Sequence, residues 1–258
     1  MKLPTLRSMF AWFFPLLLLL LTCPLWLHWW EPAQFLTLNG WCALIPAPWW
    51  TALSLMGNGW GVLALTAPLL LLAPRFMWAW LCAAPFAALF ARLGKALIVS
   101  PRPAAEIDPT QFHVVGEILS NVSMPSGHTT TAFAVASALF FALPEQRRWR
   151  SPAPLLLLLA LAVGLSRVAV GAHWPGDVAV GLSLGLWAGL LGNLLLLRVP
   201  PSWSQPKHWA LRCVALLVAI AVFVLLTDPL DFAENTLAQQ LLAAIATLSL
   251  LGFLRRSV

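Results

Sequence analysis

Residues 153–197 read APLLLLLALAVGLSRVAVGAHWPGDVAVGLSLGLWAGLLGNLLLL, two apolar runs joined by a short turn that holds nearly all of the segment's polar chemistry. The runs, 153–172 and 177–197, are each close to the roughly 20 residues that cross a bilayer core about 30 Å thick. The joint carries Ser166-Arg167, Gly171, His173, Trp174-Pro175-Gly176 and Asp177. Pro175 suits the first turn of a helix, and in helical geometry His173 and Asp177, four apart, share a face. An Asp that accepts from one imidazole nitrogen fixes the tautomer and leaves the other nitrogen as a nucleophile or base. A bare His-x3-Asp pair is more often a structural hydrogen bond, but Arg167, six residues before the His, adds an anion-binding group to it.

The rest of the chain repeats this pattern. Of its 258 residues, 60% are hydrophobic and 9% charged, whereas a soluble domain carries roughly a quarter charged residues. That excludes a soluble globular domain, and the hydrophobicity excludes disorder. The pI near 9.9 does not point to nucleic acid, because the Lys and Arg residues are scattered between apolar runs instead of forming a stripe. Spans are expected at 9–29, 51–73, 77–99, 127–144, 153–172, 177–197, 209–227 and 237–254. The fold class is therefore an all-α, polytopic membrane bundle in one domain over residues 1–258. The N-terminal run reads as an uncleaved span, since no A-x-A site follows it and Trp26, Trp29 and Trp30 form an interfacial belt. Cys23, Cys82 and Cys213 fall in spans and Cys42 in a loop, without metal-ligand or disulfide spacing.

Alternation from a cytoplasmic N-terminus puts eleven of the fifteen cations on one side: Lys2, Arg7, Arg75, Arg147, Arg148, Arg150, Arg198, Lys207, Arg212, Arg255 and Arg256. Glu145 is the only acid there, for a charge of +10. The other side holds eight acids against Arg92, Lys95, Arg102 and Arg167, for a charge of −4. This is the positive-inside pattern, with both termini cytoplasmic. The cations on the acidic side need a separate reason.

Two further clusters lie on that side. Lys95, near the end of the third span, precedes Arg102 by seven residues. Within a span a cation costs about 2.5–3.5 kcal/mol unless it snorkels or finds an anion. A snorkelling lysine is the bland reading of Lys95. Arg102 stands between Pro101 and Pro103, which stiffen the backbone and hold a planar fork of donors suited to phosphate oxygens. The second cluster is Pro125-Ser126-Gly127-His128 at the start of the fourth span. Ser126 can cap the helix, Gly127 permits close approach to the backbone, and a helix start supplies free N–H groups for an anion. A capped helix with an interfacial His is its bland reading. Taken together, three cations, two histidines and one carboxylate gather at the ends of consecutive spans, and Asp177 alone cannot balance them. Glu106, Asp108 and Glu117 in the outer loop are the structural alternative; a phosphate group is the simpler partner.

These residues resemble the type 2 phosphatidic acid phosphatase (PAP2) superfamily, whose pattern Lys-x6-Arg-Pro, Pro-Ser-Gly-His and Ser-Arg-x5-His-x3-Asp is filled in order. The positions are Lys95 to Arg102-Pro103, Pro125 to His128, and Ser166-Arg167 to His173 to Asp177. The resemblance covers about residues 50–198 and implies a six-helix core, with two extra C-terminal spans at about 207–254 whose purpose it does not give. It implies that His173 attacks phosphorus to form a phosphohistidine, oriented by Asp177. His128 would protonate the leaving oxygen and then activate water. Lys95, Arg102, Ser126, Gly127 and Arg167 would hold the phosphoryl oxygens. No metal or other cofactor is implied.

The expected function is hydrolysis of a phosphate or diphosphate from a membrane lipid at the periplasmic face of a bacterial inner membrane. Undecaprenyl diphosphate is the leading substrate, followed by lipid A and phosphatidylglycerol phosphate. A lipid-to-lipid phosphotransferase would use the same residues, and a lipid transporter or scramblase is the competing class. Partners are the bilayer and the lipid substrate, with no nucleic acid; the oligomeric state stays open. His113, Glu106, Asp108 and Glu117 are candidates for headgroup recognition or, more simply, a solvated loop.

Overall fold

The computed structural model describes residues 9–257, so Lys2 and Arg7 lie outside the described residues. Its longer helices are α1 (Met9–Leu21), α2 (Ala33–Cys42), α3 (Ala47–Leu55), α4 (Gly59–Leu65) and α5 (Pro74–Leu97). They continue as α6 (Gly127–Ala142), α7 (Ala153–Ala169), α8 (Pro175–Leu196), α9 (Trp209–Thr227) and α10 (Thr236–Ser257). The architecture is all-α, with no strand among the described residues. The helices α5, α8 and α9, and the segment Ala233–Ser257, are long and apolar enough to cross a bilayer, while α1 and α7 are shorter apolar helices.

The bundle is assembled around α8, which packs against α1, α5, α6 and α7. Gly181, Gly185 and Gly189 recur every four residues and so form one stripe along α8. A Cβ at Gly185 would sit 2.5 Å from Phe133 Cβ and 2.6 Å from the Thr130 carbonyl, and one at Gly181 would sit 2.8 Å from the Ser126 carbonyl. The backbones of α6 and α8 therefore approach more closely than any side chain would permit, as small residues allow between membrane helices. Asn193 Nδ2 donates to the Ala138 carbonyl at 3.0 Å and Ser137 Oγ to the Gly185 carbonyl at 3.3 Å. These polar ties satisfy groups that would be costly to leave unpaired in an apolar interior. They tie the later turns of α6 and α8 together and so keep the two helices side by side.

Three expectations change. Residues 51–73 do not form one span: the chain breaks after α3 and again after α4. Asn58 caps α4, its Oδ1 accepting from the Trp60 N–H at 3.0 Å, and Pro68 follows the second break, where a continued helix would need its missing N–H. Residues 33–42, read as outside loop, form α2, and Cys42 ends that helix. Buried Asn39 ties α2 to the rest, bonding the His113 backbone and the Val168 and Ala169 carbonyls. The first helix stops at Leu21, short of the expected 29. The eight expected spans are thus not eight uniform helices.

At the end of the bundle away from Asp177, cations bond the free carbonyls of helix C-termini. Arg75 donates to Leu196 and Val199, Arg148 to Phe140 and Leu143, and Arg212 to Ser257. Positive charge is favourable there, against the negative end of each helix dipole. The α9–α10 pair packs on itself and on α4, and its connecting turn lies at the opposite end, beside α6.

Candidate active site

The ends of α5 and α7 and the starts of α6 and α8 converge, and a backbone bond stitches the last two together: Ser126 N–H donates to the Asp177 carbonyl at 3.1 Å. Ser126 is fully buried as the N-cap of α6, its Oγ accepting from Thr129 Oγ1 at 2.9 Å and from the Thr129 N–H. The space around Gly127 is open, with nothing within 4 Å of where a Cβ would stand. A ligand can therefore approach the α6 N-terminus closely.

His173 lies in the turn before α8, not on the helix as its spacing from Asp177 suggested. Trp174 is the N-cap, and Asp177 Oδ2 bonds back to its N–H at 2.8 Å. The same oxygen lies 3.1 Å from His173 Nδ1 and accepts from the Ser123 hydroxyl. A carboxylate that accepts from the ring in this way puts the proton on Nδ1 and leaves Nε2 as the free lone pair. Nε2 lies 3.4 Å from an Arg102 terminal nitrogen. Burial, reinforced by the charges of Arg102, Arg167, Lys95 and His128, holds the His173 imidazole well below its ordinary range, so it is neutral near pH 7.

The cations surround this ring. Arg102 is extended, as its flanking prolines suggest, with Nε donating to Asn121 Oδ1 at 2.6 Å and a terminal nitrogen to the Ala172 carbonyl at 2.6 Å. Lys95 Nζ reaches the Val122 carbonyl at 2.8 Å. Arg167 donates to Ser54 Oγ, its guanidinium lies 5.6 Å from the Phe232 ring centre, and its buried Nε has no partner. Arg102 and Arg167 are 6% and 4% exposed, yet among the described residues neither forms an ion pair with a carboxylate. A buried charge is normally paired, so these two suit an anion that enters from outside.

The acids of the structural alternative form no ion pair with the set among the described residues. Asp108 accepts from Thr110 in its own turn, and Glu106 and Glu117 form no ion pair among the described residues. The carboxylate that does arrive is Asp231, from the turn between α9 and α10, with Oδ2 3.0 Å from His128 Nε2 and 3.0 Å from Asn58 Nδ2. Burial works against its charge, but the bonds from His128 and Asn58 and the nearby Arg167 hold the carboxyl well below its usual range. Sequence reasoning missed Asp231, Asn58, Ser54, Ser123 and Asn121. Only Asn58 carried a signal, in the turn-forming run Gly57-Asn58-Gly59. Arg92 is exposed and lies outside the cluster's contacts. Among the described residues no three His, Cys, Asp or Glu side chains converge as a metal set.

A family model for the PAP2 superfamily matches residues 76–201. A decaprenylphosphoryl-5-phosphoribose phosphatase of Mycobacterium tuberculosis is 35% identical over 134 residues, covering 52% of this chain and 69% of that protein. The chain belongs to the PAP2 superfamily. A lipid A 1-phosphatase of Rhizobium johnstonii is 34% identical over 93 residues, 33% of this chain, and the match spans only 36% of that relative's length. The crystal structure of Aquifex aeolicus LpxE matches with a TM-score of 0.53 at 24% identity, covering 64% of this chain and 93% of that one, and so shares the PAP2 fold. The apolar helices and relatives of this kind mark an integral membrane protein. The PAP2 match ends at residue 201, so α9, α10 and Asp231 lie beyond it.

Proposed function

We propose that this PAP2 protein hydrolyses a phosphate or diphosphate ester carried on a membrane lipid, through a phosphohistidine and without a metal. The observation that carries the reading is the pair of buried, carboxylate-free guanidiniums beside a neutral imidazole whose Nδ1 is held by Asp177. In the first step His173 Nε2 attacks phosphorus as the bond to the lipid oxygen breaks, and His128 gives that oxygen a proton. In the second, water attacks phosphorus, His128 takes its proton, and the P–N bond breaks to release phosphate. Lys95, Arg102, Arg167 and the N–H groups at Gly127 stabilise the charge on the phosphoryl oxygens, with Ser126 holding that helix start in place.

A lipid substrate is supported by an apolar cavity of about 370 Å³ that is lined in part by His128 and runs between α4, α5 and α6 past Trp80, Ala84, Ala87 and Ala91. His128 meets the leaving oxygen, so the chain attached to that oxygen would lie there. Undecaprenyl diphosphate remains the first substrate to test; lipid A is the second, favoured by the similarity to a lipid A 1-phosphatase. The charge pattern supports an inner-membrane protein with its site on the periplasmic face. A transporter would need the cations but not an oriented nucleophile. Phosphate release from a panel of lipid phosphates in detergent, for the wild type and His173→Ala, separates the classes. Undiminished release by the variant would defeat the enzyme reading.

A further inference from the structure

We propose that Asp231, delivered by the two C-terminal helices, is a positioning residue for His128 that holds the ring through Nε2 and orients it for proton transfer. The inference rests on the phosphatase reading above. It gives the α9–α10 pair a role that the PAP2 core does not explain.

The turn is built to place this carboxylate. Asp231 has φ 58°, in the left-handed region that non-glycine residues visit at some cost and Asp more readily than most. The side chains of the following residues hold the turn in shape: Asn235 Nδ2 donates to the Leu230 carbonyl at 3.0 Å and Gln239 Nε2 to the Asp228 carbonyl at 2.6 Å. Phe232 is buried beneath the Arg167 guanidinium and fits against Gly116, where a Cβ would stand 2.7 Å from its ring. On the other side Asn58, at the break that interrupts the expected second span, donates to the same Asp231 oxygen that faces His128.

The site thus holds two carboxylate–imidazole pairs with different settings. His173 and Asp177 are buried at 3% and 0% exposure, while His128 and Asp231 stand at the mouth at 20% and 29%. The groups whose charge acts on His128 are Arg167 from α7, Arg102 from the loop after α5, and Asp231 from the α9–α10 turn; His173 stands near it as a neutral ring. Burial and two guanidiniums oppose an imidazolium, and Asp231 offsets them in part. With Nε2–H bonded to Asp231, Nδ1 is the nitrogen left for the substrate. It gives its proton to the lipid oxygen as the P–O bond breaks, then takes one from the attacking water, while Asp231 stays ionised throughout.

The test uses the full chain in detergent with two substrates, dioleoyl phosphatidic acid and p-nitrophenyl phosphate. The first has a poor leaving group that needs a proton; the second leaves as a phenolate without one. D231N is expected to lower kcat/KM for phosphatidic acid about tenfold and to leave p-nitrophenyl phosphate within about twofold, a part of the usual general-acid factor. The alkaline limb of the kcat profile for phosphatidic acid should move to lower pH, because the proton donor is lost sooner once the carboxylate is gone. Asp231→Glu should recover most of the loss, and D231N should cost nothing further in a His128→Ala background. Asp231→Gly, which suits the left-handed backbone, replaces D231N if that variant does not fold.

An equal loss on both substrates would reduce Asp231 to a structural residue, and unchanged kinetics would remove its role altogether. A faster D231N would mean that the carboxylate competes with the phosphoryl group, which also overturns the proposal. Wild-type protein that releases phosphate from neither substrate or from any other lipid phosphate would defeat the phosphatase reading itself. An active wild type with an indifferent D231N defeats only this inference.

Discussion

Arg167→Met should separate stability from activity. The guanidinium is 4% exposed, donates to Ser54, lies over Phe232 and has no carboxylate partner among the described residues. Its removal forfeits a charge-assisted hydrogen bond of about 1.5–3 kcal/mol and a cation–π contact of about 0.5–2 kcal/mol. It also relieves a desolvation penalty of several kcal/mol for a buried charge. These terms oppose one another, so thermal stability should change little, with Tm equal to or above that of the wild type. Activity has no such compensation. A fixed donor to transition-state oxygens contributes about 2.7–4 kcal/mol, a factor of about 10²–10³ in kcat. Vanadate, an anion of phosphoryl shape, should raise the wild-type Tm, since a ligand at 100 times its Kd stabilises by about 2.7 kcal/mol. Much of that rise should vanish in the variant. Melting curves with and without vanadate, run beside phosphate-release assays, read all three effects. A variant that melts far lower, with activity falling only as its folded fraction falls, would show that Arg167 is a structural residue and refute the reasoning.

Asp177→Asn preserves shape but presents an amide where His173 Nδ1–H needs an acceptor; steady-state kinetics should show kcat down by about 10³–10⁴ with KM little changed. Arg102→Met removes the nearest charge opposing an imidazolium at His173. The acid limb of kcat/KM should therefore rise from well below pH 6.5 toward it, measured with one substrate so that phosphate titration cancels. Ala91→Phe fills the apolar cavity beside His128 and should raise KM for a long-chain lipid phosphate about tenfold more than for a short-chain one, since the lost contact is to the tail. Gly185→Ala forces α6 and α8 apart at Phe133 and Thr130. A cost of about 1–3 kcal/mol is expected from overpacking, read as a lower Tm and a weakened site at the aligned helix starts.

The break at Gly57-Asn58-Gly59 was legible only in part. Its turn residues stand in the sequence, but averaged over a span-length window they are diluted by the apolar residues on either side, so 51–73 read as one helix. The hidden α2 is the reverse case: residues 33–42 are too few and too polar to span, which said nothing against a short helix outside the spans. His173 and Asp177 are in contact, for a different local reason than their spacing suggests. The contact comes from a carboxylate in the first turn of α8 reaching back to the residues before it, not from two positions on one helical face.

The sequence by itself determined the membrane class, the charge asymmetry and three ordered clusters of basic, histidine and helix-start residues. Those properties are local: apolar runs set span length, and a motif keeps its spacing however the helices pack. Tertiary structure alone decided that the clusters meet, because their meeting depends on a glycine stripe that lets α8 lie against α6 at backbone distance. It also decided which carboxylate faces His128. Asp231 is 103 residues from that histidine and belongs to no motif. It reaches the site because the α9–α10 turn folds back over the start of α6, and such long-range placement leaves no periodicity or spacing in a single chain to read.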